Sequence, residues 1–183
     1  MQHVFSWFRK SLVLAFALLF VTLIVAAILP ASYELESSIE IQGDIQTIYD
    51  SIADFETWEH WSPWVEKEPT AQWIYQGSPK TLRSRMSWRG EILGQGSMTL
   101  VETNPPKKLR VLVEIEKPWV SRMLGEFYFR NVAPSRVEVQ WINEGDLSYP
   151  IERVLGYWIR QQIQKDFEKA LQNLKTLHEG TSK

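Results

Sequence analysis

The hydrophobic pattern changes period twice along the chain. Ser11 opens and Leu29 closes an unbroken run of 19 residues, apolar except for Ser11 and Thr22, with no charge between Lys10 and Glu34. A helix of that length rises about 28 Å, close to the ~30 Å hydrocarbon core of a bilayer. Pro30 marks its end. From Tyr33 the pattern becomes alternation. Leu35, Ser37, Ile39 and Ile41 fall on one side, and Glu34, Glu36, Ser38 and Glu40 on the other. That period of two predicts a half-buried strand. Over residues 150–178 the steps lengthen to three and four. Ile159, Ile163, Phe167, Ala170, Leu174 and Leu177 share one helical face, with Gln161, Gln164, Glu168, Gln172 and Lys175 opposite. Pro150 suits the first turn, where its missing N–H would be unpaired anyway.

The middle of the chain supplies what this helix needs for cover. Asp44 is placed to cap a short helix over residues 45–53, with Ile45, Ile48, Tyr49 and Ile52 as its apolar stripe. Trp58, Trp61 and Trp64 follow at steps of three, with Ser62-Pro63 as a second helix start. Two readings stand for these tryptophans. They cork one end of the core, or they line a pocket mouth or touch a membrane surface. Strands follow at residues 72–76 and 81–88, the latter with Leu82, Ser84, Met86 and Trp88 opposite Arg83, Arg85 and Arg89. Gly94-Gln95-Gly96 opens another, in which Met98 and Leu100 alternate with Ser97 and Thr99; glycines there mark a bulge or a bend. Three more alternating sets are Leu109, Val111, Val113 and Ile115; Met123, Phe127 and Phe129; and Val137, Val139 and Trp141. Leu112 breaks the alternation, and Asn104-Pro105-Pro106-Lys107 is a turn.

Six or seven strands joined by short turns predict an antiparallel sheet, apolar on one side and charged on the other. The terminal helix is the only segment long enough to cover the apolar side. The expected fold class is α+β: a curved antiparallel sheet of six or seven strands around a long C-terminal helix, preceded by one transmembrane helix. Residues 1–31 form the stub and anchor in this division, and residues 32–183 the soluble domain.

Charge and composition sharpen the picture. Arg9 and Lys10 precede the apolar run, and the next basic residue after it is Lys67. The positive-inside rule then puts the N-terminus in the cytoplasm and the domain on the extracytoplasmic side of the inner membrane. The rival is a cleaved signal peptide, whose apolar region is about 7–15 residues long with a small-residue cleavage site. Leu29-Pro30-Ala31 makes a poor one. The run that Ser11 opens therefore has the lipid bilayer as its expected partner. The absence of cysteine excludes disulfides, thiolate metal sites and a Cys nucleophile. His3, His60 and His178 show no metal-ligand spacing, so no metal is expected. A net charge of −2 and the lack of a basic aromatic patch argue against nucleic acid as a partner. Nine tryptophans in 183 residues suit either a filled core or an apolar ligand pocket.

Four stretches together resemble a known family. They are Ala53-Asp54-Phe55-Glu56-Thr57-Trp58-Glu59-His60-Trp61-Ser62-Pro63-Trp64, the pair Ser87-Trp88-Arg89-Gly90 and Gly94-Gln95-Gly96-Ser97-Met98, and Asp166-Phe167-Glu168-Lys169-Ala170-Leu171-Gln172-Asn173-Leu174-Lys175. In order and spacing they are similar to the segment after the first helix, the central hairpin and the helix end of the polyketide cyclase/dehydrase and lipid-transport family, within the START-like, Bet v 1-like superfamily. The resemblance covers about residues 33–178. It implies a helix-grip fold with a cavity between sheet and helix. Members bind hydrophobic small molecules or lipids, and some catalyse cyclisation or dehydration. The basic domain pattern has no membrane anchor.

Such a cavity would be lined by Met86, Trp88, Met98, Val111, Val113, Phe127, Phe129 and Trp141 from the strands, and by Ile159, Ile163 and Phe167 from the helix. Its polar candidates are Ser37, Ser84, Gln162 and Asp166, with Asp166 expected at the rim or paired to arginine because a lone buried carboxylate is costly. Asp54, Glu56, Glu59 and His60 form the one acid–base cluster, and closeness in sequence does not make them converge. Gly94-Gln95-Gly96 lacks the lysine and helix of a phosphate loop, and Ser87-Trp88-Arg89-Gly90 is no nucleophile elbow. No catalytic residue or cofactor is assigned. The expected function is non-catalytic binding of a hydrophobic or lipid-like small molecule. The alternatives are a cyclase or dehydratase using the same cavity, and a protein-interaction module with a filled core. One irregularity remains in the last helix. Ile151, Val154, Leu155 and Trp158 point roughly 130° away from the later stripe at about 100° per residue. Gly156 lies between, so a bend or gate is expected there.

Overall fold

The structure, a computed structural model, describes residues 2–118 and 120–180. Helix α1 runs Gln2–Ile28, and Ala26 is fully buried. The stretch Arg9–Ile28 is apolar and long enough to cross a membrane. The sheet follows: β1 Ser32–Gln42, β2 Gln72–Gln76, β3 Arg85–Arg89, β4 Gln95–Asn104, β5 Lys108–Lys117, β6 Ser121–Ala133 and β7 Arg136–Asp146. Between β1 and β2 come α2 Ile45–Ala53, a 3-10 turn Phe55–His60 and α3 Pro63–Lys67. Helix α4, Ile151–Gly180, closes the chain.

Seven antiparallel strands stand in the order β1-β7-β6-β5-β4-β3-β2. Strands β2 to β7 form the meander that the short turns predict. Strand β1 departs from it. It pairs with β7 from Ser32↔Asp146 to Gln42↔Arg136, so consecutive β1 and β2 lie at opposite edges. The helical segment between them spans the sheet. Asp44 caps α2 as its position predicts, its Oδ2 accepting from the Thr47 amide at 2.9 Å.

Alternation sorts the side chains as expected. The outer side carries ion pairs such as Arg122–Glu114 at 2.6 Å and Arg110–Glu126 at 2.7 Å. The inner side is apolar. Ile41, Val137, Val139, Leu109, Val111 and Leu100 are buried against α2 and against Phe167, Ala170, Leu171 and Leu174 of α4. Leu171 widens the helical stripe beyond the residues the sequence pattern picked out.

Two local departures have backbone causes. The strand expected from residue 81 begins at Arg85, because Arg83 takes a left-handed φ of 70°. The glycines before Met98 do mark a bulge. The β4–β5 register shifts between Gln95 and Gly96, and a Cβ on Gly96 would lie 2.6 Å from the Glu114 carbonyl oxygen. Helix α4 continues through Gly156, where a bend was expected. Gly156 is buried, and a Cβ there would lie 2.8 Å from Leu147 Cδ1. This glycine therefore serves a close approach.

Candidate functional site

The inner side of the sheet is sealed at one end and half open at the other. At the sealed end, Trp141 on β7 stacks on Phe167 of α4, with ring centroids 3.9 Å apart and planes at 21°. Phe127 lies 4.6 Å from Trp141 on the neighbouring strand, and the rings of Trp58 and Trp64 meet Trp141 edge-on. The Trp58 and Trp61 indoles donate to the carbonyls of Ile52 and Ser51 at 2.9 and 3.2 Å. Of the two readings for these tryptophans, core filling describes Trp58 and Trp61, which are buried, and Trp64, which is half-buried against the core.

The sequence-derived candidates divide along this gradient. Ser84, Met86, Met98, Val111, Phe127, Phe129, Trp141 and Phe167 lie in the sealed part. Trp88, Val113, Ile159 and Ile163 are half-buried, towards the end of the sheet from which α1 departs. Gln162 is exposed, and its side-chain amide donates to Asp166 at 3.2 Å. Asp166 pairs with Lys67 on α3 at 2.5 Å, where arginine was the expected partner type. Ser37 is buried and accepts from Gln164 at 2.9 Å. Gln162, Asp166 and Ser37 are thus held by partners at the surface of α4, while the Ser84 hydroxyl is buried without a hydrogen-bond partner. The acid–base cluster stays outside. Asp54 caps the 3-10 turn through the Glu56 amide, and the exposed His60 meets Glu59 at 3.6 Å. Among the described residues, no group of three or more His, Asp or Glu side chains could hold a metal ion.

Sequence reasoning missed three polar features of this site. Tyr33 is buried at the start of β1, and its hydroxyl donates to Asn143 Oδ1 at 3.2 Å. Burial pushes the Tyr33 phenol up to about 12, with the charges of Glu152 and Asp146 adding to the effect. Both residues continue an inward alternation, Asn143 after Val137, Val139 and Trp141, and that signal was legible. The second feature is the Trp141 indole N–H. Trp141 is 4% exposed and its Nε1 has no hydrogen-bond partner. The third is Glu68, buried just after α3, which accepts from the amides of Glu91, Ile92 and Leu93 at 2.6, 3.1 and 2.8 Å. The Leu93 amide holds the Glu68 carboxyl below its usual range; burial opposes this, and the other two amides reinforce it. Glu68 thereby ties the β3–β4 turn to α3. No local pattern announces it, because its partners lie more than twenty residues away.

An open hollow of about 490 Å³ lies across the α1 end of β1, β7, β6 and β5, lined by Tyr33 and Met123 and, from the outer side, by Glu34, Leu112, Leu124 and Glu144. Two others, of about 510 and 480 Å³, lie near the start of α2. Helix α3 is locked onto α4 by Lys67–Asp166, by a Lys169–Glu66 pair, and by Asn173 Nδ2 donating to Glu66 Oε1 at 3.2 Å; the same Nδ2 donates to the Trp61 carbonyl just before α3 at 3.0 Å.

A seven-stranded antiparallel sheet curved around a long C-terminal helix defines an α+β protein of the helix-grip kind. The chain belongs to the polyketide cyclase / dehydrase and lipid transport family, whose model matches residues 32–179. Solved structures share the fold at low identity. Protein CV1439 from Chromobacterium violaceum has a TM-score of 0.59 at 10% identity, covering 80% of this chain and 96% of its own. Protein MLL2253 from Mesorhizobium loti has a TM-score of 0.60 at 10% identity, covering 82% and 100%. The Aha1 dimer from Colwellia psychrerythraea has a TM-score of 0.56 at 13% identity, covering 80% and 96%. No curated protein sequence matches the chain. The family fold is consistent with hydrophobic-ligand binding.

Proposed function

We propose that α1 anchors this protein in the inner membrane by a single span, with the N-terminus inside, and that residues 32–183 form an extracytoplasmic domain binding a hydrophobic or lipid-like molecule without catalysis. The observation that carries the reading is the burial gradient. Trp88, Val113 and Ile163 pack against the core yet are only half-buried, and Ile159 is half-buried one turn before Ile163, so an apolar ligand would complete their burial. Each Å² of apolar surface removed from water contributes about 25 cal/mol. The sealed candidates, Met86, Met98, Val111, Phe127, Phe129 and Phe167, form the floor of the site. The Trp141 N–H offers a donor to a carbonyl or hydroxyl oxygen of the ligand, because a buried donor without a partner is costly. Ser84, Gln162 and Asp166 stand as secondary polar contacts. The non-catalytic reading is supported by the dispersal of the acid and base groups among partners of their own.

The test is mass spectrometry of the full chain, purified in detergent and washed, beside its Val113→Trp variant. The expected result is an amphipathic species retained by the parent and lost from the variant, while loosely associated bilayer lipids are equal in both. An identical lipid profile in the two proteins would remove the basis for a ligand site.

A further inference from the structure

The first turns of α4 expose apolar side chains on the side turned away from the sheet. Ile151 is 68% exposed and Trp158 is 65% exposed, and Leu155 lies between them on the same helical face. Tyr149 and Tyr157 flank the patch and are also exposed. Single exposed apolar residues are ordinary on a protein surface, but a contiguous set of this size marks an interaction site.

The position of the patch identifies its partner. It adjoins α1. The Tyr149 hydroxyl donates to the Leu23 carbonyl at 3.2 Å, and the Leu147 amide donates to the Ala31 carbonyl at 2.7 Å. Leu23 lies five residues before Ile28, the last of α1, which is about 7.5 Å inside the helix end at 1.5 Å per residue. An amphipathic helix lying on a bilayer buries its apolar face about 5–10 Å into the boundary between headgroups and acyl chains. The contact with Leu23 sets the Tyr149 hydroxyl level with that part of α1, and α4 begins two residues later.

Two further segments reach the same end. The pairings Ser32↔Asp146, Met123↔Gly145 and Ile115↔Ser121 place the β5–β6 turn beside the exit of α1. The pairings Gln95↔Lys117 and Arg89↔Gln95 place the β3–β4 turn there as well. Val120 on the first turn is 78% exposed, and Ile92 on the second is 73% exposed. Glu68 holds the second turn in place through the Ile92 amide. At the opposite end, Leu82 on the β2–β3 loop is 54% exposed and Val132 by the β6–β7 turn 38%.

We infer that this end of the domain is embedded in the bilayer leaflet that α1 leaves, with Ile151, Leu155 and Trp158 in the interface and Val120 and Ile92 as two further points of insertion. The inference rests on reading α1 as a membrane anchor. Aromatic side chains at the edge of the patch suit that depth, since Trp and Tyr favour the headgroup level. Arg153 lies over the Tyr149 ring at 5.6 Å and donates from Nε to the Leu147 carbonyl at 3.3 Å, which holds Tyr149 in its place beside α1. The half-buried end of the groove then opens on the acyl layer. The ligand this arrangement admits is a lipid of that leaflet, which moves in without crossing water.

The chain contains no cysteine, so single spin labels can be placed cleanly. The full chain is reconstituted in nanodiscs of phosphatidylcholine, labelled at Leu155→Cys, Val120→Cys, Leu82→Cys or Phe16→Cys. Each label is probed with lipid-soluble oxygen and with a water-soluble nickel chelate. The expected result is loss of nickel accessibility and gain of oxygen accessibility at positions 16, 155 and 120, with the reverse at 82. Nickel accessibility at 155 and 120 equal to that at 82, with 16 protected, would overturn the docking and leave the anchor standing. Nickel accessibility at 16 would overturn the anchor and the docking with it. Neither outcome affects the Val113→Trp comparison, which reads ligand occupancy alone.

Discussion

Replacing Phe167 with alanine tests whether the later half of α4 seals the sheet. Phe167 is 4% exposed and stacks on Trp141 at 3.9 Å, with Trp64 edge-on at 6.1 Å. Truncating a buried phenylalanine costs about 3–5 kcal/mol, combining lost transfer energy with the cavity left behind. The stacked pair accounts for roughly 1 kcal/mol of that. The surrounding rings are large and locked by their own contacts, so little collapse into the gap is expected, and a loss of about 4 kcal/mol follows. With a urea m value of about 2 kcal/mol per M for a domain of this size, the unfolding midpoint falls by about 2 M. The assay is urea titration of the full chain in detergent, followed by tryptophan fluorescence. Leu82→Ala is the control, because an exposed loop residue shifts stability by no more than about 0.5 kcal/mol. Equal midpoints for the two variants would refute the assignment of Phe167 as the closing residue of the core.

Three other outcomes follow from the same contacts. Glu68→Ala leaves the amides of Glu91, Ile92 and Leu93 without their acceptor, so hydrogen-exchange protection falls at those three positions while the β6–β7 ladder keeps its own. Because the Glu68 carboxyl is held below its ordinary 4.5, its contribution is full above that pH and fades as pH falls through the lower folded value; the parent should lose protection at the turn under acid conditions and the variant should not change. Gly96→Ala forces a Cβ to within 2.6 Å of the Glu114 carbonyl and 2.5 Å of Trp88 Cζ2, a clash worth about 1–3 kcal/mol, read as a midpoint lowered by roughly 1 M. Tyr33→Phe strips Asn143 Oδ1 of its donor at a cost of about 1–3 kcal/mol. In an ultraviolet titration the same change removes the phenolate that forms near pH 12.

Much of this architecture is legible in the chain because it depends on neighbours in sequence. Alternation assigned the inner and outer sides of the strands, and the α4 stripe located Phe167, Ala170 and Leu174. Asp44 announced its cap, and the glycines at 94 and 96 announced a bulge. The apolar length of residues 11–29 was equally plain. The tryptophan-rich segment was not, because a step of three places side chains on one side of a turn without saying what lies against them. Residues 81–84 misled because their alternation continues past the point where Arg83 turns left-handed.

The tertiary structure decided what depends on distant partners. It placed β1 beside β7, since eleven residue pairs at that edge cannot be read from either strand alone. It matched Asp166 with Lys67 across 99 positions, and Glu68 with a turn more than twenty residues away. It turned Gly156 from an apparent weak point into a contact with Leu147. It also resolved the two apolar faces of α4. The sheet covers the later one, while the earlier one, with Ile151, Leu155 and Trp158, stays exposed at the end where α1 leaves, and no periodicity within a helix can reveal which face will be covered. Hydrophobic pattern states that a side chain must leave water. Only the fold states which face the sheet receives and which it leaves uncovered.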